Sequence, residues 1–80
     1  MQGDTIDIVP RKKREIRNAY RAAGFNERQP KGDHTIFTHP LVHENYAVAG
    51  NDGHDAYPYD EQNLKRALKA KRDAERRQKP

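Results

Sequence analysis

Apolar positions come in two rhythms along this chain. Between Arg11 and Ala23, Ile16, Ala19, Tyr20 and Ala23 recur at i, i+3, i+4 and i+7, the spacing of one helical face. Gly24 follows as a stop signal. The opposite face carries Arg11, Lys12, Arg14, Arg17, Asn18 and Arg21. Phe25–Arg28 then reads as a short strand closed by Pro30-Lys31-Gly32. Asp33–His39 is β-branched and aromatic, alternates, and stops at Pro40. Tyr46–Gly50 is a third strand, followed by the turn residues Asn51-Asp52-Gly53 and a loop over His54–Tyr59. Asp60 is an N-cap candidate, and Leu64, Ala67, Leu68 and Lys71 continue one face of a second helix. Beyond Ala70 nothing large and apolar remains, so residues 71–80 are expected to form a charged, frayed helical tail. Residues 1–10 lack a period and read as a leader, or as a short edge strand through Ile6 and Ile8.

This order predicts an α+β fold, α-β-β-β-α. Its economical form is a three-stranded antiparallel sheet with both helices on one face. The expected domain spans residues 11–70. Its expected core is Ile16, Ala19, Tyr20, Ala23, Phe25, Phe37, Val48, Leu64, Ala67 and Leu68. Leu, Ile, Val and Phe total only 12 of 80 residues, so that core is thin and stability modest. One small domain leaves no room for a doubly wound nucleotide-binding fold or a TIM barrel. The absence of cysteine excludes disulfide scaffolds and thiolate metal sites. The longest apolar run, Tyr46–Ala49, is too short to span a membrane. No membrane partner is expected, and the expected compartment is the cytoplasm.

Charge sharpens the picture. The net +4 divides into −2 over residues 1–10, +6 over 11–31, −4 over 32–59 and +4 over 60–80. Two basic segments flank an acidic centre that holds all four histidines. Basic surfaces attract phosphate backbones, although most such charges simply solvate a helix face.

Within the central strand, His34, Ile36 and Thr38 face one way and Thr35, Phe37 and His39 the other. Phe37, the largest apolar group, is placed under the helices, so His34 falls on the open face. An imidazole there can exchange a proton near neutrality. RNA cleavage needs a base for the 2′-OH and an acid for the leaving 5′-oxygen. Neighbouring Lys and Arg stabilise the charge on the phosphate, without metal. The plain alternative is a histidine that only packs or hydrogen-bonds. His39, His43 and His54 read as a strand-end residue and two loop residues. The spacing of His34, His39 and His43 invites a zinc reading, but His34 and His39 have opposite parity on a strand. Neither metal nor cofactor is expected.

Gly24-Phe25 and the run Pro30-Lys31-Gly32-Asp33-His34-Thr35-Ile36-Phe37-Thr38-His39-Pro40 resemble the HicA family of toxin ribonucleases. Gly50-Asn51-Asp52-Gly53 and Asp55-Ala56-Tyr57-Pro58-Tyr59 look like features of a subgroup of that family. The resemblance covers roughly residues 12–70. It implies a fold like that of double-stranded-RNA-binding domains and ribosome-independent mRNA cleavage. It also implies His34 as the catalytic residue and a HicB-like antitoxin as protein partner. The family's usual Ser before this His is Asp33 here.

The leading expectation is therefore a toxin-type RNA endonuclease, an mRNA interferase. In it His34 transfers protons, Arg28 and Lys31 contact phosphate, and Lys12, Lys13, Arg14 and Arg17 form a broader RNA-docking surface. The alternative is a non-catalytic RNA-binding or protein-interaction module on the same fold, docking partners through the basic helices, the open sheet face or an edge strand.

Overall fold

A computed structural model describes residues 11–78. The possible leader strand through Ile6 and Ile8 lies outside them. The element order is α1 (Lys13–Ala22), β1 (Asn26–Lys31), β2 (His34–His39), β3 (Val42–Val48) and α2 (Pro58–Gln78). The strands form an antiparallel sheet in the order β1-β2-β3. The α+β, α-β-β-β-α architecture expected from the sequence is the one observed.

The first turn of α1 has no side-chain cap on its N–H groups. Instead the N–H groups of Lys13 and Arg14 donate to the carbonyls of His54 and Asp52, at 2.8 and 3.2 Å. The loop after β3 thereby satisfies donors that a helix leaves open. The Glu15 carboxylate accepts the Lys12 N–H at 2.7 Å and adds a negative charge to the positive end of the helix dipole. At the far end the Phe25 N–H returns to the Tyr20 carbonyl at 3.0 Å, which starts the chain into β1.

β1 runs three residues further than expected, to Lys31, through an irregularity in pairing between Arg28 and Lys31. Pro30 has no N–H for the ladder, which accounts for the local break. Lys31 and His34 flank the turn Gly32-Asp33, where Gly32 takes a φ of +55° that favours glycine. β3 begins at Val42 instead of Tyr46, so His43 stands on a strand. Only Pro40-Leu41 separates the paired residues His39 and Val42. The Leu41 N–H donates to His39 Nδ1 at 3.1 Å, a side-chain bond that closes the turn. α2 begins at Pro58, where a missing N–H costs a helix nothing. It then continues unbroken through residue 78. The charged helical tail expected beyond Ala70 is helix through Gln78, with Ala74 buried.

Alternation places Thr35 and Phe37 of β2, and Tyr46 and Val48 of β3, beneath the helices. Phe37, Tyr46 and Val48 cluster with Ile16 and Tyr20 of α1 and Leu64 and Ala67 of α2. Tyr20 stacks on Phe37 with centroids 4.5 Å apart and meets Phe25 edge-on at 5.4 Å. Such pairs contribute about 0.5–1.5 kcal/mol beyond area burial. The Tyr20 hydroxyl is buried without a hydrogen bond among the described residues, and burial pushes its pKa up. Two expectations need correction. Leu68 is 39% exposed and stands outside the core, since it sits a quarter-turn from the buried line of Leu64 and Ala67. Tyr46 and Ala56, not expected there, are inside it.

Candidate nucleic-acid interface

His34 is exposed. Its neighbour Thr35 and Phe37 point into the core, so His34 stands on the sheet face away from the helices. Lys31 is its cross-strand partner, and Arg28 pairs with Ile36, two residues along β2 on the same face. Directly opposed residues hold their Cβ atoms roughly 4.5–5.5 Å apart. One imidazole and two cations thus share a corner of the open sheet. Among the described residues, none of the three forms an ion pair or a side-chain hydrogen bond. Asp33 meets the helix side through its backbone carbonyl, which accepts from Arg17. It lines a polar cleft of about 230 Å³ with Arg17, Arg21, Gln29, Thr35 and Asp52.

His39 has a different job. It faces the Phe25 ring at 5.2 Å and accepts the Leu41 N–H. Nothing converges with His34 to hold a metal: no group of three His, Asp or Glu side chains with that potential occurs among the described residues.

The α1 cations divide sharply, and two of the expected RNA contacts are corrected. Arg17 is only 4% exposed. Its Nε donates to Thr35 Oγ1 at 3.0 Å and its Nη1 to Asp52 at 2.6 Å. Its Nη2 donates to the carbonyls of Asp33, Gly50 and Val48 at 2.6, 2.7 and 3.2 Å. The planar guanidinium fork suits this set of acceptors in a way an ammonium could not. Lys13 is 2% exposed, bonds Asp60 at 3.1 Å and lies 4.4 Å from the Tyr57 ring centre. Neither side chain is available to RNA. Both sit on the helical face that turns toward the 50–60 loop, where acids of the same chain neutralise them. Lys12 is more accessible but pairs with Asp55 at 2.7 Å. Arg14 is exposed, with no ion pair among the described residues.

The periodicity of Ile16 and Tyr20 could not reveal the inward turn of Arg17. One signal could have: the acids at 52, 55 and 60 follow a stretch without cations and need partners from elsewhere in the chain. The exposed, mutually stacked Tyr57 and Tyr59 also escaped the sequence reading. No helix among the described residues is long and apolar enough to cross a membrane. The chain matches no protein-family model, no curated protein and no solved structure.

Proposed function

We propose that this protein is a metal-independent RNA endonuclease of the toxin type, with His34 as its proton-transfer residue. The observation that carries the reading is the placement of exposed His34 opposite Lys31, with Arg28 on the same uncovered sheet face. The resemblance of Gly32-Asp33-His34 and His39-Pro40 to HicA toxins supports it. His34 accepts the 2′-OH proton as the 2′-oxygen bonds to phosphorus and the bond to the 5′-oxygen breaks. The imidazolium, or water, returns a proton to the departing oxygen. Lys31 and Arg28 stabilise the charge on the phosphate. The substrate is mRNA in the cytoplasm, and the natural inhibitor is a HicB-like antitoxin that covers the open face.

The test is incubation of purified protein with RNA in excess EDTA. Cleavage that leaves 2′,3′-cyclic or 3′-phosphate ends, and is lost in His34→Ala with RNA affinity kept within a few-fold, is the expected result. Binding without any cleavage would leave a non-catalytic RNA-binding module. Cleavage that requires an added divalent ion would overturn the mechanism.

A further inference from the structure

We infer that the free ring face of Tyr59 stacks a base of single-stranded RNA, while the outward cations of α2 hold the neighbouring phosphates. The inference rests on the RNA reading above and adds a docking site that the His34 corner does not include.

The two exposed tyrosines differ in what the fold asks of them. The Tyr57 N–H donates to Asp60 at 2.8 Å, and its ring lies against Lys13 Nζ. Tyr57 therefore roofs the buried Lys13–Asp60 pair. Tyr59 stacks on Tyr57 with centroids 5.3 Å apart and planes 26° apart, yet remains 55% exposed. It joins no part of the core cluster. Folding gains little from a large aromatic ring left half in water, whereas a flat ring held in place by a stacked neighbour is a ready platform for a base.

The occupant is argued from charge. Along α2, Lys65, Lys69, Arg72 and Arg76 recur at steps of four, three and four residues and are all exposed, so they share one face. The eleven steps from Lys65 to Arg76 make that stripe about 16 Å long, beginning about 9 Å along the axis from Tyr59 and about a third of a turn around it. Among the described residues only Lys69 of the four has an acidic partner, Asp73. This is the reverse of α1, whose Lys12, Lys13 and Arg17 are neutralised by Asp55, Asp60 and Asp52. A cationic stripe with an aromatic platform about one to two turns before it, about a third of a turn around the helix, matches a polyanion with accessible base faces whose strand winds from one to the other. Bases in a duplex are already stacked on each other, so only a single strand offers one to Tyr59.

The experiment uses the full chain carrying His34→Ala, to prevent cleavage, and a fluorescent single-stranded RNA octamer read by anisotropy. Adding Tyr59→Ala should weaken binding by roughly 5- to 160-fold, the range for losing one stacked base. Tyr59→Phe should keep affinity within about threefold, since the π face remains. Affinity for a duplex of the same sequence should not change. Lys65→Gln with Arg72→Gln should lower the slope of log K against log salt by about 1.4, or about 0.7 per phosphate contact. Circular dichroism establishes that each variant is folded. Unchanged single-strand affinity in folded Tyr59→Ala overturns the site, as does loss that affects duplex equally. Cleavage by a wild-type chain whose RNA affinity ignores Tyr59 removes the platform but leaves the nuclease. Tyr59-dependent binding without cleavage by the wild-type chain does the opposite.

Discussion

The Arg17 guanidinium donates to the backbone carbonyl of Asp33 at 2.6 Å, so a buried cation of α1 grips the residue that precedes His34. The same group reaches the ends of β2 and β3 and the loop beyond through Thr35, Val48, Gly50 and Asp52. Arg17 thereby fixes the corner of the sheet from which His34 projects, without belonging to the open face itself.

Replacing Arg17 should therefore act through folding. Arg17→Ala leaves three carbonyls and the Thr35 hydroxyl without their donor in a mostly buried place. A loss of about 2–4 kcal/mol is expected, from buried acceptors left unsatisfied at about 1–3 kcal/mol each, since Asp52 itself is more than half exposed. Arg17→Lys should recover only part of it, because an ammonium cannot spread over the same acceptors. Urea unfolding monitored by circular dichroism measures both. A loss below about 1 kcal/mol in Arg17→Ala would show that the network contributes little.

Lys13 and its neighbours provide a graded comparison. Lys13→Ala strands Asp60, whose Oδ1 already lacks a partner among the described residues, and should cost about 3–5 kcal/mol. Lys13→Met combined with Asp60→Leu should be far milder than either single loss, since no charge is left buried. Lys12→Ala breaks only the surface pair with Asp55 and should cost no more than about 1 kcal/mol. Equal losses in Lys12→Ala and Lys13→Ala would contradict this division between surface and interior.

His34 and His39 should separate chemistry from folding. His34→Ala touches no core contact, so its stability should stay within about 0.5 kcal/mol of wild type while cleavage falls by ~10²–10⁴-fold. His39→Ala removes the acceptor for the Leu41 N–H and a ring beside Phe25. It should cost about 1–2 kcal/mol and leave cleavage by the folded protein largely intact. A folded His39→Ala protein that no longer cleaves, beside an active His34→Ala protein, would reverse the assignment.

Two surface carboxylates set part of the acid response. The hydrogen bond from Arg11 holds Glu61 below its ordinary 4.5, and the hydrogen bond from Arg21 does the same for Glu27. A carboxylate depressed in the folded state adds stability above its unfolded value and loses it as pH falls through the folded value. These pairs should therefore contribute fully at pH 7 and fade below about 4.5. Both are substantially exposed, so each is worth at most about 1 kcal/mol. Urea midpoints at pH 7 and pH 3 should lie closer together in Glu61→Gln than in wild type. An unchanged gap would assign the acid response to other groups.

Residue order alone carried the fold class, the faces of β2 and the exposed position of His34. The reason is physical: β-strand alternation is strict, and one buried Phe37 settles the direction of every neighbour. Helix periodicity likewise located the Ile16–Tyr20 and Leu64–Ala67 faces. Element ends were less legible. β3 starts four residues early because the His39 side chain closes a Pro40-Leu41 turn, a contact no periodicity encodes. α2 runs on past Ala70 with Ala74 buried, and its Asp73 and Arg77 line a groove with Leu41–Glu44. The fate of the cations was decided only in three dimensions. Lys12, Lys13, Arg14 and Arg17 are one basic run in sequence, yet two of them are buried and one is paired at the surface. A charge is buried when the chain brings it an opposite charge and enough acceptors to replace water, and Asp52 and Asp60 come from 35 and 47 residues away.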